Sequence, residues 1–502
     1  MYCQLEALRH CLPPSLRGIL DELPETLDET YERVLKEINK ANWEHARRLL
    51  QCLTVALRPL RVEELAEVLA IDFTAPAHGG IPQLNPNWRW TDHHQAVLST
   101  CSSLITIVNL GRFQVVQFSH FSVKEFLTSD RLARSSGDVS RYHVALEPAH
   151  MILAQVCLGV LLRLDDRIIE DYIDDSKDRT DDSEDSTDDS EDSTDEIEDN
   201  INGIPLVGYA SRHLFDHAGF EKVASHIRVA MEYFFDTDKP HWTAWSRVQK
   251  IDVRWTQFTP YEKIGDALPL YYTSLGGFYD LAEHLVGRHP EHINARGGQM
   301  VTPLVAALHR KHFRIAELLH RHGADINVRG WSTALLAACM TGIVDIVQWL
   351  LDHGADVNAQ SGDSTRPIVS AVGFGHLQVV RTLIEYNADT NIWMDFGEGL
   401  LHRAASPNFK NHQIAIMQLL LDHGANPNAQ DNDGSTPLHN SSWRQKGHFL
   451  PTQGSVEGTR LLLKYGAIID AEDNEGRTPL QLALEHDRQD IVACLREHGA
   501  RR

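Results

Sequence analysis

Two short markers recur in step along the last 235 or so residues, and their shared phase constrains the fold more than any other feature of the chain. A Gly-Ala pair or its variant stands at Gly323-Ala324, Gly354-Ala355, Asn387-Ala388, Gly424-Ala425, Gly466-Ala467 and Gly499-Ala500, in steps of 31, 33, 37, 42 and 33 residues. A TPLH-like marker starts at Leu268, Thr302, Thr333, Arg366, Gly399, Thr436 and Thr478, in steps of 34, 31, 33, 33, 37 and 42. The two ladders lengthen together. A period near 33 describes units that cannot bury their apolar faces alone and must stack on their neighbours.

Each marker has a physical reason. In STPLH a threonine can cap the first helix through its hydroxyl, and proline suits the first helical position, where a missing N–H costs little. The leucine pairs Leu318-Leu319, Leu350-Leu351, Leu419-Leu420 and Leu462-Leu463 face neighbouring units, and the glycine that follows permits a left-handed helix end. Asn387, the next most tolerant residue type, replaces glycine once. The run resembles the ankyrin family; its cleanest copies are DNDGSTPLHNS from Asp431 and DNEGRTPLQLA from Asp473. That resemblance implies a protein ligand on the concave surface, lined by the turn before each TPLH and the residues after the first helix. Those places hold Gln299, Val301, Trp331, Met340, Phe374, Asp395, Phe396 and Arg444. Trp331 sits in a turn two residues shorter than its neighbours, and its alternative is an ordinary core position between repeats. The longer steps come from insertions at residues 407–412 and 447–455, which a stack tolerates and which are candidate recognition loops. Most of the 28 histidines fall to the repeats: His402 and His439 are the TPLH histidine, and His322, His353, His423 and His498 precede the terminal glycine. No metal site and no cofactor is expected.

The first 140 residues read differently. Helical spacing covers residues 25–39, 43–57, 62–70 and 91–101, followed by two β-rich runs around residues 109–112 that form a hairpin signal. Ser122 and Glu125 have capping-box spacing ahead of Phe126. Helices followed by a hairpin make a winged-helix arrangement over residues 43–140, preceded by a helical segment at 1–42. The run from CQLEALRHCL through RPLRVEELAEVLAID to VVQFSHFSVKEFLTSDRL resembles the region that follows the ATPase core in fungal NACHT proteins, a branch of the STAND NTPases related to NOD-like receptors. PLVGYASRHLFDHA, from Pro205, extends the resemblance. It implies that the winged helix folds onto an NTPase core and that His120, in FSHFSVKEF, touches a bound diphosphate. The alternative for His120 is a polar residue satisfied at a helix start. No G-x-x-x-x-G-K-[ST] occurs in the chain, so this polypeptide alone is expected neither to bind nor to hydrolyse ATP. Met1 enters the family pattern in mid-domain, which suggests a truncated gene model or a degenerate paralogue.

Between these halves, residues 141–265 read as a helical spacer, with helical stretches at 143–164, 206–217, 222–235 and 241–249. It is interrupted by three tandem acidic heptads. Residues 174–199 carry 15 acids against Lys177 and Arg179 and no apolar seam, so they read as a solvated insert in which Ser186 and Ser193 match acidophilic kinase targets. The net charge of −23 argues against nucleic acid. Seven scattered cysteines suggest free thiols in a reducing compartment, and no segment suits a bilayer, so a cytoplasmic protein is expected. The helix at 91–101 lacks Lys and Arg, against winged-helix DNA binding. Expected, then, is a mainly α, non-enzymatic chain with a winged helix, a spacer and an α-solenoid of about seven ankyrin repeats at 266–502. It serves either as the sensor half of a STAND receptor, with a NACHT NTPase core as a further partner, or as a stand-alone ankyrin adaptor.

Overall fold

The computed structural model describes residues 26–74, 80–111, 113–135, 137–164, 204–248, 267–298, 300–330, 332–362, 364–394, 397–406, 412–442 and 456–501. The chain divides into two compact units, Met1–Thr259 and Pro260–Arg502. The architecture is mainly helical, with a winged-helix domain in the first unit and ankyrin repeats in the second.

In the first unit α1 (Leu27–Glu37) starts where the Thr26 hydroxyl accepts the Glu29 N–H. It is followed by α2 (Trp43–Val55), β1 (Leu60–Arg61), α3 (Val62–Leu69), the short pair β2 (Ile71–Asp72) and β3 (Gln83–Leu84), and α4 (His93–Cys101). Helix α4 begins two residues later than the sequence pattern suggests, because the Asp92 carboxylate takes the Gln95 N–H and caps it. Strands β4 (Ile105–Leu110) and β5 (Phe113–Phe118) form the hairpin, with Gly111 left-handed at the turn (φ 59°). Strand β1 pairs with the free edge of β5, giving the order β1-β5-β4. Helix α5 (Phe121–Leu127) and α6 (Asp130–Arg134) follow. Helix α1 packs on α5 through the rings of Tyr31 and Phe126, 5.5 Å apart.

The spacer region is helical. Helix α7 spans Leu146–Leu161 rather than beginning at residue 143, because residues 143–145 run extended and Val144 donates to the Leu127 carbonyl at 2.8 Å. It packs along α8 (Val207–Ala218). The single helix expected over 222–235 is two, α9 (Val223–His226) and α10 (Arg228–Phe234), broken at the buried Ile227. Helix α11 (Pro240–Val248) brings Trp242 and Trp245 against Phe235. Two ion pairs are sunk into this unit. Arg58 closes on Glu64 through both guanidinium arms, and Arg89 closes on Glu67; both carboxylates are buried. Cys52, Cys101, Cys157, Cys339 and Cys494 are buried free thiols. The acidic insert and its candidate Ser186 and Ser193 lie outside the described residues. No helix among the described residues is long and apolar enough to cross a membrane.

Among the described residues the second unit is a run of seven helix pairs. These are α12 (Pro269–Gly276) with α13 (Tyr279–Arg288), α14 (Pro303–His309) with α15 (Phe313–Arg321), and α16 (Ala334–Thr341) with α17 (Val344–Asp352). Then come α18 (Pro367–Gly373) with α19 (Leu377–Glu385), α20 (Leu400–Ala405) with α21 (Gln413–Asp422), α22 (Pro437–Ser442) with α23 (Val456–Lys464), and α24 (Pro479–Glu485) with α25 (Gln489–Glu497). Thr302, Thr333 and Thr478 cap their helices as the sequence suggests. At the sixth pair the buried leucines are Leu461 and Leu462, one residue earlier than the expected Leu462-Leu463.

Three sets of side chains tie the pairs together. The buried His402 accepts the Gly399 N–H at Nδ1 and donates from Nε2 to the Ser435 carbonyl of the next turn, 3.0 Å away; His439 does the same between Thr436 and Arg477. His322, His353, His423 and His498 each turn Nδ1 back onto the carbonyl four residues earlier, 2.7–2.8 Å away, closing the last turn of the second helix. After four of the closing turns an asparagine reaches the turn of the next repeat. Asn294 holds Gly323 O and Asp325 N, Asn327 holds Gly354 O and Asp356 N, Asn358 takes Asp389 N, and Asn428 holds Gly466 O and Ile468 N. Asp470 takes the Arg501 N–H in the same way. Among the described residues the equivalent rung from Asn391, between repeats four and five, is missing.

Candidate protein-binding groove

Between the turns and first helices of repeats four and five lies a recess of about 560 Å³. Its walls come from the turn before α18 and from α18 itself on one side, and from the turn at 392–399 and α20 on the other. Phe374, the residue that ends α18, is 53% exposed, and Trp393 is 60% exposed; both line the recess. The Trp393 backbone forms a bridge with Gly399, and Met394 and Glu398 close the turn with a 2.8 Å bond, so the tryptophan stands on a braced hairpin. Val369 and the buried Ile392 supply apolar wall.

Two arginines add charge. Arg366 occupies the place where four of the other repeats have a threonine, and it lies 3.6 Å from the Asp389 carboxylate. Arg403 on α20 lies flat against Gly373; a Cβ there would meet Nε at 2.9 Å, so the absence of a side chain admits the guanidinium. Glu398 is the one acidic side chain among the lining residues. Exposed aromatic area beside guanidinium groups, in a concave recess, is the surface chemistry that recurs at protein-recognition hot spots.

Of the residues the sequence singled out, Phe374 is in the recess, and Met340 is half-buried one repeat away, its carbonyl accepting from His376 at 3.3 Å. Val301 departs from the expectation: it is only 5% exposed. It turns in because its left-handed backbone (φ 67°) closes the turn onto Gly297 and Gly298 and puts its methyls over Gly330, so it is core and does not line the concave surface. Gln299, Trp331, Asp395, Phe396 and Arg444 lie outside the described residues, as do both insertion loops apart from His412. Sequence reasoning missed Trp393, Arg366 and Arg403. Part of the signal was present: the TPLH threonine is lost at Leu268, Arg366 and Gly399, the last two in the repeats that form the recess, and Trp393 stands where the neighbouring copies have Gln360 and Gln430.

In the winged helix, His120 rather than Ser122 caps α5. Its Nδ1 accepts the Ser122 N–H at 3.2 Å and meets the Ser122 hydroxyl at 2.6 Å, which in turn reaches Tyr31. The expected capping box from Ser122 fails because Ser122 already lies inside the first turn. His120 is exposed and its ring lies 4.2 Å from that of Phe121, which is 71% exposed.

The fold thus defines a winged helix and an ankyrin array within one chain. Family models agree: "Ankyrin repeats (3 copies)" matches residues 270–361 and 368–450, and "GPI inositol-deacylase, winged helix domain" matches residues 31–137. Among curated relatives, the chain is 27% identical over 324 residues to the azaphilone pigments biosynthesis cluster protein L of Monascus ruber, covering 61% of each chain. It is 31% identical to the ankyrin repeat protein nuc-2 of Neurospora crassa over 36% of this chain and 17% of that one. It is also 31% identical to the mouse ankyrin repeat and SAM domain-containing protein 6, over 30% of this chain and 18% of that one. The chain therefore spans about three fifths of the Monascus protein and under a fifth of the other two.

Proposed function

We propose that this chain is a non-catalytic interaction scaffold whose ankyrin unit takes a segment of a partner protein into the groove between repeats four and five. The observation that carries the reading is the presence of two solvent-facing aromatics, Phe374 and Trp393, in one recess beside Arg366 and Arg403. Exposed large aromatics are costly to leave in water unless a partner covers them. The test is affinity capture with the intact chain, repeated with Phe374→Ala and Trp393→Ala. A partner of the groove loses roughly 2 kcal/mol of affinity or more with each variant, while the melting temperature holds because neither ring is core. Partners that bind both variants as well as the parent chain would overturn the assignment.

A second reading follows from the winged helix. The match at residues 31–137 and the exposed His120–Phe121 pair support a regulatory half of a STAND-type receptor, whose NTPase core covers that pair. In this reading groove binding biases a nucleotide switch held elsewhere in the assembly. An in-frame phosphate-binding loop upstream of Met1 in the gene supports it, and a native transcript beginning at Met1 favours the stand-alone adaptor.

A further inference from the structure

The first repeat ends unlike the others. Where the second repeat reads His322-Gly323-Ala324-Asp325-Ile326-Asn327, the first reads His289-Pro290-Glu291-His292-Ile293-Asn294. Proline has no N–H to close the helix and cannot take the left-handed conformation that Gly323 adopts (φ 96°). The turn is instead a short 3₁₀ segment, Pro290–His292. At this end His289 does not fold its ring back onto the helix carbonyl as the other four closing histidines do. Its Nδ1 lies 3.2 Å from the Glu291 carboxylate. His292, at the place of Asp325, brings Nε2 to 3.7 Å from the same oxygen, and the two imidazoles stack with centroids 4.9 Å apart.

We propose that His289, Glu291 and His292 bind one divalent transition-metal ion of the zinc class. Two neutral imidazoles and a carboxylate are a donor set suited to zinc and poorly suited to magnesium or calcium, which favour all-oxygen shells. All three ligand atoms lie within 4.8 Å of one another. Zinc–ligand bonds of about 2.0–2.1 Å place tetrahedral neighbours about 3.3–3.4 Å apart; the two imidazole-to-carboxylate separations are 3.2 and 3.7 Å, and binding requires one of the near-parallel rings to turn out of the stack so that both in-plane nitrogen lone pairs meet at the ion. The ligands are partly exposed, so the ion enters from solvent and water fills the fourth position. The ion then clamps the end of a repeat whose proline has removed the usual hydrogen-bonded closure. This assigns a ligand role to histidines that the repeat pattern alone does not explain, and it does not rest on the groove reading.

The test is titration of the intact, chelator-stripped chain with zinc chloride by calorimetry, with cobalt(II) absorption as an independent report of tetrahedral coordination. One ion per chain is expected. His289→Ala and His292→Ala each weaken it by roughly 10- to 100-fold or more, whereas His226→Ala, an exposed histidine outside the cluster, leaves it unchanged. Circular dichroism confirms that the variants stay folded. Absence of saturable one-to-one uptake, or uptake that survives both substitutions, overturns the site.

Discussion

The Nδ1 atoms of His150 and His217 lie 2.9 Å apart in the packing between α7 and α8. Leu57 donates its N–H to the Tyr209 hydroxyl at 3.3 Å, and that hydroxyl lies 2.8 Å from His217 Nε2. The chain of bonds closes if Tyr209 donates to His217 and His217 donates to His150, which requires both rings to be neutral. Burial holds the His217 pKa down at about 3, with the neighbouring His150 and His213 adding to the effect, and burial lowers His150 too.

A pH dependence follows. Because the folded-state value is depressed, the contribution of neutral His217 is complete above the ordinary value of 6.5 and drains away as pH falls toward 3, since the unfolded chain takes up the proton first. At 1.36 kcal/mol per pH unit, about 2 kcal/mol is lost by pH 5. Urea denaturation of the intact chain at pH 7 and 5 measures it. His217→Gln lowers stability at pH 7 but flattens the slope; an unchanged slope would show that another group titrates.

The Arg89–Glu67 pair gives a second prediction. Glu67 is 4% exposed, and burial pushes its carboxyl above the usual range even with Arg89 bound. Arg89→Ala strands a buried carboxyl and is expected to cost about 3–5 kcal/mol. Adding Glu67→Gln recovers part of that loss. A single-variant cost under about 1 kcal/mol, the size of an exposed pair, would show that water reaches the site.

Gly342 ends α16 with φ 74°, and the His376 ring of the next repeat lies where its Cβ would be, with Cε1 2.5 Å away. Gly342→Ala therefore meets both a left-handed backbone penalty of about 1–2 kcal/mol and a collision. The double variant with His376→Ala relieves the second and keeps the first. Thermal melts of the three variants separate the terms, and equal melting temperatures for single and double variants would remove the ring from the account.

With no phosphate-cradling loop in the sequence, the purified chain is expected to show no ATP turnover and no tight ADP binding. Calorimetry with ADP checks this directly. Micromolar affinity would point to a nucleotide site built from other residues.

The solenoid was legible because most repeats carry some of the same punctuation, a threonine cap, a proline at the first helical position or a left-handed glycine, and the marks that survive keep one phase. The groove was legible only in part. Phe374 follows a helix whose phase the repeats set, but Trp393 sits on a turn whose pairing depends on the Trp393–Gly399 bridge, and sequence spacing does not reveal that register. Val301 was misread because a β-branched residue in the left-handed region is improbable from sequence, yet the turn imposes it. The cap at His120 was hidden by the better-known Ser–Glu spacing beside it.

The missing asparagine rung at Asn391 has a mechanical meaning. Repeats one to four are laced by Asn294, Asn327 and Asn358, and repeats five to seven by Asn428 and Asp470, so among the described residues the lacing is interrupted at one seam, between repeats four and five. Asn391 lies two residues before Trp393, which places the seam directly beside the recess. Load applied along the solenoid is expected to concentrate its curvature there, and a ligand that gripped Phe374 and Trp393 at once would act as a splint across the joint. Faster amide exchange around residues 389–394 than in the equivalent turns at 325–329 and 356–360, slowed when a partner occupies the groove, is the signature of such a joint.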